Sequence, residues 1–241
     1  MSPLPVISAV IPVHNEAGFI ETALPRLVET LESVGEAFEI IVVENGSIDA
    51  TAEIASALAV ADDRISVVRL LEPDYGAAMR SGFLKATGAW IVNFDIDYFS
   101  ADFLRSGLLL RGSADLILAS KRVAGSDDRR SSVRRLGTWG FNLALRFLFR
   151  SEVTDTHGMK MIRRPVVEVL VPQIRSTKDL FDTELVIRAE RAGHLIAEIP
   201  TTVEELRVAR SAFVKRIPRT LIGLWRIRRA LRAEARQGSE H

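Results

Sequence analysis

Four apolar runs rich in Val and Ile punctuate the first hundred residues: VISAVIPV (6–13), FEIIVVE (38–44), ISVVRL (65–70) and AWIVNF (89–94). Runs of this length, bounded by turn residues, read as strands buried on both faces. Between them lie AGFIETALPRLVETLESV, DATAEIASALAVA and YGAAMRSGFLKA, whose apolar residues recur at helical spacing. Strand and helix alternating in this order predict an α/β fold, a mostly parallel sheet with helices on both faces. Ligands of such sheets bind beyond the carboxyl ends of the strands. Here those ends read PVHNE, VENGS and FDID, so three strands deliver polar groups to one rim.

A fifth run, DLILAS (115–120), precedes a basic loop, KRVAGSDDRRSSVRR, which reads as mobile. Then come a helical LGTWGFNLALRFLF, a short strand MKMI, a helix LFDTELVIRAERAG, a strand LIAEIP, and one long basic helix from Phe213 to about Gln237. Neither repeats nor low-complexity linkers interrupt the chain. It reads as one domain over 1–205, with a basic amphipathic helix over 206–241. The formal net charge of +1 conceals an asymmetry: residues 1–121 carry 8 basic and 17 acidic side chains, residues 122–241 carry 24 and 14.

With 47% hydrophobic and 26% charged residues the composition is that of a globular protein. The lack of cysteine excludes disulfide frameworks, cysteine zinc sites, iron–sulfur clusters and thiol catalysis, and fits a reducing compartment. His14, His157, His194 and His241 are too scattered for a histidine metal site. No apolar run reaches the roughly 18 residues of a membrane span, and the amino terminus lacks the basic start of a signal peptide. A soluble protein, or one lying on a membrane face, is expected.

Within NFDIDYFS (93–100), a strand would point Asp95 and Asp97 to the same side. Two like charges in a small space cost energy unless a cation lies between them; a polar strand end with solvated carboxylates is the simpler reading of a D-x-D taken alone. In ENGSIDAT (44–51), Asn45, Gly46, Ser47 and Asp49 fit a turn and helix cap. The same groups can receive a base and ribose. In PVHNE, Asn15 or Glu16 can begin a helix, and His14 is flat enough to stack on a base. For Gly76, Gly82 and Gly88, close packing beneath a ligand and close packing of helix on sheet both fit. There is no phosphate loop and no G-x-G-x-x-G.

Together these segments resemble the inverting glycosyltransferases of GT-A fold (family 2). The likeness rests on P-x-x-N-E after the first strand, IIVVENGSIDAT after the second, GAAMRSGFLKATG leading to DID, and later SKR, DTHGMKMIRR and FDTELVIRA. Within that family the chain is most similar to the dolichyl- or polyprenyl-phosphate hexose synthases, over most of residues 6–200. The resemblance implies an NDP-sugar donor of GDP-mannose or UDP-glucose type, a divalent cation (Mg²⁺ or Mn²⁺), and inverting transfer to a lipid phosphate. It makes residues 1–121 a nucleotide-sugar half and 122–205 an acceptor half. Pro12, His14, Glu16, Glu44 and Asp49 would border the nucleoside, joined by Asn45 and Gly76. His14 stands where tyrosine is usual, and Glu44 where aspartate is common. Asp95 and Asp97 would hold the metal, and Arg122 and Arg134 the acceptor phosphate, which guanidinium groups bind bidentately. Phe99 stands where the lipid-phosphate branch often has a glutamine able to reach the metal.

A lipid monophosphate, with its second pKa near 6, attacks without a general base, whereas a hydroxyl acceptor needs one. The base candidate is Asp182, also readable with Glu184 as a helix first-turn acid. Asp155 reads as a turn residue whose family equivalent lies near the acceptor. In the carboxy-terminal helix, Phe213, Ile217, Leu221, Leu224 and Trp225 recur at helical spacing among arginines. That pattern fits packing on the core and fits an interfacial helix on anionic lipid. The expected location is cytoplasmic, peripheral on the cytoplasmic face of a membrane. The acidic first half and the lack of a base-stacking set argue against nucleic acid. A soluble hydroxyl acceptor, or a non-catalytic nucleotide-sugar-binding module, are the alternatives.

Overall fold

The computed structural model describes residues 5–128, 132–177, 180–203 and 213–238. The first half alternates as its pattern predicts: β1 (Ile7–Val13), α1 (Ala17–Glu32), β2 (Phe38–Asn45), α2 (Thr51–Ala61), β3 (Ile65–Leu70), α3 (Tyr75–Lys85), β4 (Trp90–Asn93) and α4 (Ala101–Leu109). There follow β5 (Leu116–Ser120), β6 (Asp127–Asp128), α5 (Ser132–Phe149), β7 (Lys160–Arg163), α6 (Arg164–Leu170), a 3₁₀ turn (Val171–Gln173), α7 (Phe181–Arg191), β8 (Ile196–Pro200), β9 (Thr202–Val203) and α8 (Phe213–Gly238).

Seven strands form one sheet in the order β3-β2-β1-β4-β7-β5-β8. All neighbours are parallel except β7, which runs antiparallel between β4 and β5. The chain reverses its direction of travel across the sheet at β1 and β4, the kind of switch point where α/β sheets bind ligands. Because β7 is inverted, its first residue, Lys160, pairs with Asn93 at the very end of β4.

Each face of the sheet has its own core. Leu24, Leu27 and Leu31 of α1 and Phe103 and Leu104 of α4 cover one face, Phe83 of α3 and Phe181 and Leu185 of α7 the other. Each such side chain contributes roughly 1.5–3 kcal/mol by leaving water. The small face of α3 serves packing: a Cβ on Gly82 would run into Val10 of β1 and Val43 of β2. A third cluster joins α5, α7 and α8 through Leu145, Ile187, Leu224, Ile227 and Leu231. The carboxy-terminal helix therefore buries one face on the domain.

One expectation needs correction. The fourth strand ends at Asn93, so Asp95 and Asp97 lie in a tight turn beyond it and not on a strand. Alternation survives all the same, because a single bridge pairs Asp95 with Tyr98.

Candidate active site

In that turn Phe94 and Ile96 are buried, leaving Asp95 and Asp97 as the side chains turned away from the core. Tyr98 N–H donates to the Asp95 carbonyl at 3.0 Å, which closes the turn. Phe99 packs edge-on against Phe94, 6.4 Å between ring centres, and so belongs to the core. Tyr98 shares a 2.8 Å hydroxyl hydrogen bond with Thr201. The Asp95 carboxyl is pushed up to about 6, first by the protein closing around it, then by Asp97 and Asp182, against the pull of Lys160 and Lys121.

The cations named in that balance form the other wall. Lys160 is fully buried; its Nζ donates to the Gly158 carbonyl at 2.8 Å and stands 3.2 Å from Asp182 Oδ1. The other Asp182 oxygen accepts from the Tyr75 hydroxyl at 2.9 Å. A Lys–Asp–Tyr chain thus links β7, α7 and α3 across the cleft. Burial and Asp182 hold the Tyr75 phenol well above its ordinary pKa, so it stays a donor. Lys121 Nζ lies 3.4 Å from Asp155 Oδ2; burial pushes that carboxyl up, but Lys121, the His157 N–H and the His157 ring together outweigh it and keep it below its usual range. The other Asp155 oxygen accepts from His157 N–H at 3.0 Å, the expected turn. Burial pulls the His157 pKa down, and its ring meets Phe141 of α5 at 5.2 Å.

On the opposite side the candidate nucleoside residues form a hydrogen-bonded lattice. Glu44 is buried at the end of β2 and accepts from Ser47 N–H at 2.6 Å. Asn45 Oδ1 accepts from Asp74 N–H at 2.8 Å, and the Asn45 carbonyl from His14 Nδ1 at 2.9 Å. His14 Nε2 then accepts from Asn15 Nδ2 at 3.0 Å, which selects the Nδ1-protonated tautomer. Asn15 takes the left-handed conformation, φ 53°, a position asparagine tolerates. Asp49 caps two helices at once, accepting from Ala17 N–H of α1 at 3.2 Å and Thr51 N–H of α2 at 3.0 Å. Glu16 N–H donates to Thr51 Oγ1 at 2.8 Å. Pro12 sits on β1 opposite Val43, and Gly76 is buried in the first turn of α3. The turn is realised, and Asp49 binds the first N–H of both helices, but the N-cap residues themselves, Glu16 and Ala50, make no side-chain cap hydrogen bond.

The structure brings Asp95, Asp97 and Asp182 together. Arg122 is exposed just beyond β5, its N–H donating to Ser120 Oγ at 3.1 Å. The side chain of Arg134 lies outside the described residues, as do Arg129 and Arg130. Glu184 is structural: it accepts from Ser176 N–H at 2.8 Å and from Arg188 Nε at 2.9 Å. Sequence reasoning missed Lys121, His157 and Lys160. A lysine inside the apolar strand MKMI was the available signal, since a buried cation must be paired.

The donor chemistry fits a hard cation. Asp95 and Asp97 offer oxygen ligands, and their mutual repulsion is what an ion between them would relieve. Among the described residues no group of three His, Cys, Asp or Glu could hold a metal by itself, so a diphosphate and water would complete the shell.

The chain matches the model of glycosyl transferase family 2 over residues 8–171 and belongs to that family. It is 35% identical over 208 residues to glycosyltransferase AglD of Haloferax volcanii, covering 82% of this chain and 33% of the relative. Polyprenol monophosphomannose synthase of Mycolicibacterium smegmatis is 32% identical over 206 residues, 81% of this chain and 76% of the relative. The chain thus spans only a third of the archaeal relative's length. Among solved structures, glucosyl-3-phosphoglycerate synthase of Mycobacterium tuberculosis, in complex with Mn²⁺, UDP and glucosyl-3-phosphoglycerate, superposes with a TM-score of 0.67 at 22% identity. That likeness covers 93% of this chain and 80% of the other, and it shows the fold.

Proposed function

We propose that this chain is a divalent-metal-dependent, inverting hexosyltransferase that moves a sugar from an NDP-sugar to a polyprenyl phosphate at a membrane face. One observation carries the choice of acceptor: the carboxylates nearest Asp95 and Asp97 are already engaged. Asp182 is 4% exposed, with one oxygen beside Lys160 and the other bound by Tyr75, and Asp155 is likewise paired with Lys121. Although Asp182 Oδ1 and Asp155 Oδ2 accept no hydrogen bond, each carboxylate is buried beside a lysine and would have to give up that ion pair to serve an incoming hydroxyl as its base. An acceptor phosphate, mostly a dianion above about pH 6, needs none. Naming of relatives after polyprenol and undecaprenyl-phosphate transfer supports the same reading.

In this reading Glu44, Asn45, Asp49, His14, Glu16 and Pro12 border the nucleoside, and Gly76 lets α3 approach it. Asp95 and Asp97 would hold Mg²⁺ or Mn²⁺, which when bound neutralises the departing diphosphate. Lys160 and Tyr75 fix Asp182 at the sugar end of the cleft. Lys121 and Arg122, with Arg134, give the acceptor phosphate a cationic approach, and their charge sets its attack on the far side of the donor. Residues 1–121 then act as the donor half and 122–205 as the acceptor half of a single domain, with α8 meeting the membrane on the cytoplasmic face.

The test is transfer from a panel of NDP-sugars to a short polyprenyl phosphate, read by mass. Asp95→Asn with Asp97→Asn should abolish it, by about a thousandfold or more, with the fold unchanged. Full activity in that double variant would sink the reading. A soluble hydroxyl acceptor predicts instead that Asp182→Asn alone is as damaging and that lipid phosphate is not used.

A further inference from the structure

The polar rim is only one of the surfaces that call for a partner. Leu136, Trp139, Leu143 and Phe147 of α5 are spaced 3, 4 and 4 residues apart and so lie along one face. They are 67%, 53%, 52% and 80% exposed. Leu145 on the opposite side is fully buried against α8. The helix is thus apolar on two sides, and one of them faces out. On α8, which packs beside it, Leu221, Ile222 and Trp225 are also more than half exposed. Two of the chain's three tryptophans, Trp139 and Trp225, are more than half exposed; the third, Trp90, is buried.

The charge around these residues is of one sign. No Asp or Glu occurs within α5, which carries Arg134, Arg135 and Arg146. In α8 the single acid, Glu234, is turned inward onto Arg188 at 2.9 Å, while Arg226, Arg229, Arg232 and Arg236 are exposed. A second copy of the chain, pairing these two helices with themselves, would bring arginine against arginine. An exposed ridge of Leu, Phe and Trp on a helix that also exposes Arg146, next to a helix exposing Arg226, Arg229, Arg232 and Arg236, matches the interface of an anionic bilayer, where rings sit at headgroup depth and guanidinium groups meet phosphate. The inner face of α5 reaches the cleft through Phe141 and His157. The same helix therefore runs from the acceptor side of the site to the exposed ridge.

We propose that α5 is the principal membrane-inserted element, its outer ridge lying in the interface of an anionic bilayer with the exposed half of α8 beside it, so that the cleft opens next to the lipid. This extends the lipid-phosphate reading, which assigns membrane contact to α8 alone, and rests on it only for the purpose of the contact.

Flotation with vesicles of phosphatidylcholine, alone or mixed in equal parts with phosphatidylglycerol, tests it. The unaltered chain should partition onto the mixed vesicles. Trp139→Glu with Phe147→Glu should lower that partition at least about tenfold while the thermal midpoint stays put. A Trp225→Phe variant leaves Trp139 as the exposed fluorophore, and brominated lipid should quench it. Unchanged partition in the double variant, or an unquenched Trp139 in protein that floats, overturns the proposal. So does a lipid-independent dimer that the same pair of substitutions dissolves. Transfer to a short, water-soluble polyprenyl phosphate without vesicles should be equal in the unaltered and Glu-substituted chains. If neither uses that acceptor, the functional reading fails while the vesicle result stands.

Discussion

The two walls of the cleft are built by different means. On the donor side, residues close to the ends of β1 and β2 bind one another through backbone groups, as when Asp49 caps both α1 and α2. On the proposed acceptor side, charged side chains pair in or beside the interior: Lys160 with Asp182, Lys121 with Asp155, and Arg188 with Glu184 one turn away and with Glu234 of α8. A wall made of separate side-chain-to-backbone hydrogen bonds loses them one at a time, at about 1 kcal/mol each. A wall made of buried charge pairs fails abruptly, because removing one partner strands the other.

The sharpest contrast is therefore expected at Lys160. Lys160→Met leaves Asp182 buried and unanswered, and should lower unfolding stability by about 3–5 kcal/mol in urea titration. Adding Asp182→Asn should restore much of that; no recovery would break the pairing argument. Arg188→Met should cost about 3 kcal/mol through the buried Glu184, whereas Glu234→Gln, which removes a partly exposed charge and leaves Arg188 paired with Glu184, should cost about 1 kcal/mol. Equal losses from the two would mean that α8 is held by its charges and not by Leu224, Ile227 and Leu231.

A smaller effect is expected at Asp95. Its folded pKa of about 6 lies above the unfolded value, so the folded state binds the extra proton between roughly pH 4 and 6. Stability then falls as pH rises through that window, and above it the ionised Asp95 is a standing penalty. In chelator, Asp95→Asn should stabilise the chain at pH 7 by about 1 kcal/mol, after allowance for solvent at the open cleft, and leave it unchanged at pH 4. A Tm gain that is the same at both pH values would refute this. Least of all, Asp49→Ala should lower the Tm by less than any of these changes, because its hydrogen bonds lie in water.

How much was legible follows the same division. The donor rim follows from local pattern: apolar runs give the strands, and turn residues at their ends give the hydrogen-bonded lattice. The paired aspartates stand out in the sequence as a D-x-D, but the strand expected to carry them stops at Asn93. The acceptor wall depends on β7 inserting antiparallel between β4 and β5, and no periodicity encodes that choice of neighbour. Without it, Lys160 has no reason to meet Asp182, 22 residues on, and Arg188 reads as one more charge on an amphipathic helix. The outward ridge of α5 was hidden for another reason: a helix apolar on two sides looks, in sequence, like one with a wide buried face.

Helix α7 carries Asp182 in its first turn and Arg188 six residues later, about 9 Å along a stiff helical rod. One end is fastened in the cleft by Lys160 and Tyr75, the other to α8 by the paired contacts of Arg188 with Glu234. Seen mechanically, α7 is a strut: load borne by α8 reaches the sugar end of the cleft with little give, and so the seating of the outer helices and the geometry of the reacting site are one adjustment.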